Sequence, residues 1–193
     1  MTLIHDPAVV DAPVLDVFAE RWSTRIFDAD APIDEDALAS ALEAARWAPS
    51  AGNTQPWRFI VARRGTPAHS AIVSTLTGFN PRWAPAASAL VVVLARTESE
   101  DGTPLRWAGY DTGQAAAFFV AQAHASGLYA HQMGGFDRSA LATAFDLDAA
   151  LDPMTVIAVG ALGDVDAASE ELRAREAAPR PRRPVAESVI LDA

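Results

Sequence analysis

One stretch of the chain combines a stiff backbone with side chains that form hydrogen bonds. Residues 48–57 read A-P-S-A-G-N-T-Q-P-W, with two prolines that restrict the backbone and one glycine that permits a turn. The stretch carries four uncharged side chains that can hydrogen-bond a flat polar ligand, namely Ser50, Asn53, Thr54 and Gln55. The same composition is typical of an ordinary connection between a helix and a strand. Taken alone, the stretch leaves both interpretations open.

The second candidate site is basic. The formal net charge is −10, yet all 15 Lys and Arg residues are arginines, and five of them fall within residues 173–183. Arg21 and Arg25 form a second cluster near the N-terminus. Because guanidinium groups match phosphate in charge and shape, these clusters predict an anion site. For Arg173 and Arg175, pairing with glutamates on an exposed helix is the alternative.

Composition limits the chemistry that the side chains can do. There is no cysteine, hence no disulfide, no thiol nucleophile and no zinc site of the cysteine type. The four histidines, at positions 5, 69, 124 and 131, lack the spacing of metal ligands, and we expect no metal site. The chain also lacks the glycine-rich nucleotide loops and the G-x-S-x-G nucleophile elbow. If the protein is an enzyme, we expect a cofactor to supply its chemistry.

Charge and hydropathy restrict the partners of the protein. A net charge of −10 argues against general binding to nucleic acids or anionic membranes. The most apolar helix candidate, residues 108–127, is too polar to be a membrane span, because it contains Asp111, Gln114, Gln122 and His124. The N-terminus lacks the basic and apolar segments of a secretory signal. We therefore expect a cytoplasmic protein without nucleic-acid or membrane partners.

The periodicity of apolar residues predicts the elements that position these side chains. Helical patterns are found at residues 11–20, 35–47, 67–76, 108–126, 137–145 and 164–177. Runs rich in β-branched or aromatic residues predict strands at 57–62, 89–95, 128–133 and 154–162. Residues 77–85 and 97–106 contain glycine and proline and are predicted to be irregular. With no long linker, residues 1–193 are predicted to form one domain.

The end of the chain, residues 179–193, is predicted to be an extended arm. Prolines 179, 181 and 184 disfavour a helix there, so helical ion pairs do not account for Arg180 and Arg182. The arm ends in the apolar group 189–191, which needs a surface to cover it, and a partner subunit is one candidate. The apolar helix at 108–126 has the same requirement.

Four stretches in order carry a resemblance to a known family. They are R-W-S-T-R-I-F-D at 21–28, A-P-S-A-G-N-T-Q-P-W at 48–57, M-G-G-F-D at 133–137 and P-R-R-P at 181–184. Together they resemble the signatures of the nitroreductase family of FMN-dependent oxidoreductases. The resemblance implies an α+β fold with a central mixed β-sheet flanked by helices, an intertwined homodimer, and two FMN molecules at its interface.

The resemblance also implies roles for the basic residues. Arg21 and Ser23 would bind the FMN phosphate. Arg25 would reach the N1–C2 edge of the flavin and stabilise its reduced form, which is the only catalytic role implied for a side chain. A salt bridge from Arg25 to Asp28 or Asp30 is the alternative. Trp22 would lie in the cofactor site as well, at a position where the family usually has a basic or polar residue.

The remaining cofactor contacts implied by the resemblance come from three segments. Across the subunit interface they are Pro49, Ser50, Ala51 and Asn53. Along the main chain they are Gln132, Met133, Gly134 and Gly135, where the two glycines would let the backbone approach the ring or would merely turn the strand into a helix. The arm would add Arg180 and Arg182. Asn80 would correspond to an asparagine that contacts the flavin in some members of the family. His131 is a further candidate because of its position on the strand before Gly134, with a surface or core histidine as the alternative.

The implied activity is a two-step hydride transfer. NAD(P)H would reduce the flavin at N5, and the reduced flavin would then reduce a nitroaromatic, quinone or enone. The alternative is a flavin-binding carrier or sensor of the same fold with little turnover, because the chain is short and residues 95–108 leave little room for substrate-covering elements. A different flavin chemistry, such as flavin fragmentation, also stays open, as does the choice between NADH and NADPH.

Overall fold

The structure is a computed structural model that describes residues 8–191. Along these residues, helices and strands follow one another in the order α1 (Asp16–Glu20), α2 (Glu35–Arg46), β1 (Trp57–Arg63), α3 (Pro67–Thr75), β2 (Ala89–Arg96), α4 (Ala108–Ala125), β3 (Tyr129–Met133), α5 (Arg138–Ala144), β4 (Leu151–Gly160) and α6 (Glu170–Glu176). All four predicted strands are confirmed within a few residues at their ends. Three residues of the predicted features lie outside the described residues. They are His5, one of the four histidines, and Asp192 and Ala193, which end the predicted arm.

The four strands form one sheet in the order β1-β2-β4-β3, and every neighbouring pair is antiparallel. The prediction of a mixed sheet is therefore wrong for residues 8–191. Strands β2 and β3 run in the same direction and are joined by helix α4, which is the arrangement that usually gives a parallel pair. Here β4 lies between them and pairs with both, so two antiparallel ladders replace the parallel one.

Both faces of the sheet are covered. Because side chains alternate along a strand, Val91 and Val93 of β2 pack with α2 and α4 on one face. Leu90 and Val92 of the same strand pack on the other face with a cluster that includes Trp83. Strand β2 is thus buried on both sides, which explains its unbroken apolar sequence. The α+β prediction of a central sheet with flanking helices is confirmed.

Helix α4 is the longest helix that the structure describes, with 18 residues. Its inner face packs on the sheet through fully buried residues such as Phe119, whereas Tyr110 and Phe118 remain exposed. Among the described helices, none combines the length and the apolar character that a membrane span requires.

Two predicted helices begin later than expected. Helix α1 starts at Asp16 behind Leu15, which provides no side-chain cap, so the predicted start at Asp11 and Pro13 is wrong. Proline disfavours helical geometry in the residue before it, and Asp11 lies in a bend instead. Helix α6 starts only at Glu170, where the hydroxyl of Ser169 accepts a hydrogen bond from the amide of Leu172 at 3.3 Å.

The chain that leaves β4 positions the segment that carries the first arginine cluster. The amide of Gly163 donates to the carbonyl of Ile26 at 3.0 Å, and the amide of Asp28 donates to the carbonyl of Ala161 at 3.0 Å. At Gly163 the two backbones approach so closely that a Cβ atom would lie 2.7 Å from the carbonyl group of Phe27. Only glycine fits this crossing without movement of one backbone.

We therefore expect Gly163→Ala to lower the free energy of unfolding by about 1–3 kcal/mol, the usual cost of forcing extra volume into a packed site. Gly113→Ala is the matched control, since a Cβ atom there meets nothing within 4 Å and the residue lies inside a helix. It should be neutral or stabilise by up to about 1 kcal/mol. Urea denaturation measures both variants, and equal midpoints for Gly163→Ala and the unmodified chain would contradict the packing assigned to this crossing.

Candidate functional site

The segment that follows α1 is extended, and its side chains alternate between two environments. The even-numbered residues are buried in the core, and they are Trp22, Thr24 and Ile26. The odd-numbered residues are at least partly exposed, and they are Arg21, Ser23 and Arg25. This period of two is what an extended backbone imposes. It places the two guanidinium groups and the hydroxyl on one side of the segment.

These side chains line a cavity of about 460 Å³, which also receives the arm. Arg180 and Arg182 contribute from the arm, and Arg175 contributes from α6. The two basic clusters, which lie about 150 residues apart in the sequence, therefore meet in space, as an anion site requires. We call this space the arginine cavity; its other lining residues are Trp22, His131, Glu176, Ala178, Pro179 and Pro181.

The arginines of this cavity repel one another. Burial lowers the pKa of the Arg21 guanidinium below its ordinary value, and the charges of Arg180 and Arg182 lower it further. Burial also lowers the pKa of Arg25, an effect that Glu176 opposes and Arg175 reinforces. The guanidinium groups nevertheless stay charged near neutral pH, because the ordinary pKa of arginine lies far above neutrality. A bound anion would relieve this repulsion.

The arm is tied directly to the segment that it faces. Arg180 donates from Nη1 to the carbonyl of Arg21 at 2.7 Å. Arg182 donates to the carbonyl of Pro181 at 3.0 Å. The arm has no regular structure from Ala178 to Pro184, as its prolines predict.

The alternative explanation of Arg25 as a local salt bridge is not supported. Among residues 8–191, no ion pair joins Arg25 to Asp28 or Asp30. Asp28 instead accepts hydrogen bonds from the amides of Asp30 at 2.8 Å and Ala31 at 3.1 Å. The Arg25 guanidinium is left facing the arginine cavity.

For the arginines of α6 the helical alternative holds in part. Arg175 pairs with Glu171 at 3.4 Å, as predicted, although it also lines the arginine cavity. Arg173 donates to the carbonyl of Asp166 at 3.5 Å rather than to a glutamate. Glu176 does not fit this alternative, because its side chain is buried beside Trp22 and does not lie on the exposed face of the helix.

Trp22 and His131 lie at the inner wall of the arginine cavity. The indole of Trp22 donates to Glu176 at 2.6 Å and packs edge-on against Tyr129. His131 Nδ1 lies 2.8 Å from the carbonyl of Thr24, so this nitrogen carries the proton and donates it. Burial lowers the pKa of His131, which keeps the ring neutral near pH 7. No group of acidic or histidine side chains among residues 8–191 has the arrangement of a metal site.

The loop at residues 48–57 has a tightly turned backbone. It contains a short 3-10 turn at Ala51–Asn53, and Asn53 and Gln55 adopt positive φ angles of 54° and 46°. The hydroxyl of Ser50 accepts from the amide of Gln55 at 3.1 Å. Side-chain and backbone bonds within the loop thus hold two residues in a conformation that non-glycine residues rarely adopt.

A buried carboxylate fixes this loop to helix α4. Asp111 accepts from the amide of Ala51 at 3.0 Å. In the sequence, Asp111 only interrupts an apolar helix. A charged residue on the buried face of a helix usually has a partner, and this signal could have identified Asp111 as an anchor of the loop. Together the loop and the helix line a second cavity of about 500 Å³, formed by Pro49, Ser50, Ala51, Trp107, Tyr110, Asp111 and Gln114. Within one chain it shares no lining residue with the arginine cavity.

The residues from 132 to 135 divide between the surface and the core. Gln132 lines a cavity of about 390 Å³ together with Arg21 and Ser23, so this side chain does approach the first arginine cluster. Met133 is buried in the core at 2% exposure, and its carbonyl accepts a hydrogen bond from the hydroxyl of Thr155 at 3.0 Å. A Cβ atom on Gly135 would lie 2.8 Å from Asn80, whose amide donates to the Gly135 carbonyl at 3.0 Å, whereas Gly134 has open space. Asn80 therefore fixes the backbone at Gly135.

Comparisons with known proteins identify the family of the chain. The family model described as the nitroreductase family matches residues 18–161. A crystal structure described as an oxidoreductase containing FMN is 34% identical to this chain with a TM-score of 0.88, and the match covers 95% of this chain and 93% of that one.

Two sequence relatives extend the comparison. A 15.4 kDa protein from the ask 5′ region of Mycolicibacterium smegmatis is 42% identical over 132 residues, which is 65% of this chain and 88% of that protein. A protein of Streptomyces coelicolor, named provisionally as an NADH dehydrogenase/NAD(P)H nitroreductase, is 28% identical over 153 residues, or 68% of this chain and 75% of that protein. Because the family model matches most of the chain, and the motifs at 21–28, 48–57 and 133–137 lie inside the match, the protein belongs to the nitroreductase family.

Proposed function

We propose that this protein is an FMN-dependent oxidoreductase that transfers a hydride from NAD(P)H, through N5 of the flavin, to a nitroaromatic, quinone or enone acceptor. The arginine cavity is the observation that carries the proposal. Five arginines converge there in a chain whose formal net charge is −10, and Glu176 is the one carboxylate among the lining residues. Such a concentration of positive charge is suited to a doubly charged phosphate.

The chemistry of the donors fits the phosphate of FMN. Arg21 and Arg180 would offer guanidinium groups, and the exposed hydroxyl of Ser23 would add a neutral donor. Arg182 would approach from the arm, which the bond between Arg180 and the Arg21 carbonyl already holds against this segment. A volume of about 460 Å³ lies within the range of small-molecule sites.

When bound, FMN would supply the hydride chemistry itself. The residues of this chain would bind and orient the ring and set the electrostatic potential around it. Arg25, partly buried at the edge of the cavity, would stabilise negative charge on the pyrimidine side of the ring. The open backbone at Gly134 and the main chain of Met133 would border the ring, and Gln132 would lie beside it.

We infer that the site is completed by a second copy of the chain in a homodimer. The loop that carries Pro49, Ser50, Ala51 and Asn53 is rigid and faces solvent, yet it lies apart from the arginine cavity of its own chain. Large apolar side chains are exposed around it and on α1, with Trp107 at 51%, Tyr110 at 68% and Phe18 at 58% exposure. A partner subunit would cover this surface and bring the loop to the flavin.

The proposal predicts a yellow protein that oxidises NADH or NADPH in the presence of menadione or a nitroaromatic compound. Absorbance at the flavin band and steady-state oxidation assays measure these properties. A preparation that is colourless, stays colourless with added FMN and oxidises neither nucleotide would contradict the proposal. A protein that binds FMN but turns over no acceptor would be a flavin carrier or sensor instead.

Arg21→Ala should weaken FMN binding by roughly 1.5–3 kcal/mol, the usual contribution of a hydrogen bond to a charged group. This corresponds to a dissociation constant about 10- to 150-fold higher. Arg173→Ala is the control, because Arg173 is an arginine of α6 that does not line the arginine cavity. Fluorescence titration with FMN compares the two variants, and equal affinities would show that the phosphate is bound elsewhere.

Dilution should release the flavin. If each FMN contacts Ser50 and Asn53 of the partner subunit, affinity for FMN must fall when dimers dissociate. Sedimentation and flavin fluorescence, followed over the same range of protein concentration, should therefore change together. Flavin that stays bound to a monomer at its full affinity would exclude the composite site.

A further inference from the structure

Glu176, the last residue of α6, has a buried carboxylate at the edge of a cavity full of positive charge. Its side chain is only 2% exposed, whereas Glu170 and Glu171 on the same helix face solvent. The carboxylate would repel an anion in the arginine cavity, so its presence does not help to attract one. The position of this carboxylate must therefore be explained by its hydrogen-bond partners within the chain.

Both oxygens of Glu176 are used to hold the segment that carries Arg21 and Arg25. Oε1 accepts from the indole of Trp22 at 2.6 Å, and Oε2 accepts from the backbone amide of Arg25 at 3.1 Å. The two donors lie on the same extended segment, three residues apart, and more than 150 residues from Glu176 in sequence. One side chain thus fixes both ends of the segment.

The segment depends on such contacts because no described strand forms a ladder with residues 21–25. A shift by one residue would turn Arg21 and Arg25 toward the core and the buried Thr24 toward the cavity, since neighbouring side chains point in opposite directions. Within the described part of the chain, other long-range bonds to residues 21–25 include those of His131 to the Thr24 carbonyl and of Arg180 to the Arg21 carbonyl.

We propose that Glu176 is a positioning residue that keeps this segment in register, so that Arg21, Ser23 and Arg25 face a bound anion together. It acts through its hydrogen bonds to Trp22 and to the Arg25 amide. The identity of the anion as the phosphate of FMN rests on the proposed function, whereas the register is a property of the cofactor-free chain.

The first experiment needs no cofactor. Amide hydrogen exchange of the cofactor-free protein compares Glu176→Ala with Glu170→Ala, which removes an exposed glutamate from the same helix. We expect the amide of Arg25 to exchange about tenfold faster in Glu176→Ala, because it loses its acceptor. The Glu170→Ala variant should match the unmodified chain.

The second experiment measures the ligand site. In Glu176→Ala the dissociation constant for FMN should rise about tenfold, and the constant for riboflavin should rise less, because riboflavin lacks the phosphate that Arg21 and Ser23 would meet. A generally loosened fold would weaken both ligands equally. Trp22→Phe should also weaken FMN binding. When it is added to Glu176→Ala, the dissociation constant should rise by less than about a further twofold, because the two residues act through one contact.

If Glu176→Ala does not fold, Glu176→Gln replaces it, because glutamine retains one accepting oxygen. In Glu176→Gln, the exchange rate of the Arg25 amide and the dissociation constant for FMN should each rise about threefold. Unchanged exchange at Arg25, or equal losses for FMN and riboflavin, would overturn the assignment in either variant. If the unmodified protein binds no FMN, the proposed function fails, and the exchange rates alone decide whether Glu176 holds the register.

Discussion

Repulsion among five arginines is the constraint around which this structure is organised. Arg21 and Arg25 come from an extended segment near the N-terminus, and Arg175, Arg180 and Arg182 come from the end of the chain. Like charges separate unless the fold or a ligand holds them together. Here the fold does so with neutral contacts to the backbone, such as the bond from Arg180 to the Arg21 carbonyl. A doubly charged anion would convert this repulsion into binding energy.

The second half of the proposed site, the loop of the partner subunit, would bind by shape and not by charge. The loop at 48–57 carries no charge that could attract a ligand, and it contributes shape instead. Its three positive φ angles at Gly52, Asn53 and Gln55, its internal hydrogen bonds and its anchor on Asp111 define its conformation before anything binds. A rigid surface loses little entropy when a flat ring settles against it. The arginine cavity would then supply affinity, and the loop of the partner subunit would supply fit.

Much of this could be predicted from the sequence where a local pattern decides the outcome. The β-branched run of β2 predicts a buried strand, and Asp34 and Asp137 are capping residue types that accept hydrogen bonds at the start of their helices. The convergence of Arg21 with Arg180 was inferred from their charge and from the resemblance to the family. The antiparallel sheet could not be predicted, because β4 pairs with strands that are distant in sequence. No local pattern determines that β4 lies between β2 and β3.

The inward direction of Glu176 also escaped prediction. The sequence of α6 alternates charges without a clear apolar face, so only contact with Trp22 decides which glutamate is buried. The side chain of Met133 and the bond from Asn80 to Gly135 depend on tertiary packing in the same way.

The central claim is that one chain provides the phosphate site and its partner provides the surface for the ring. A crystal structure of the purified protein with FMN tests this most directly. We expect the phosphate to lie within hydrogen-bond distance of Arg21 and Ser23, and Ser50 and Asn53 of the second copy to lie against the flavin. A phosphate bound outside the arginine cavity, or a flavin that contacts one chain alone, would contradict the account.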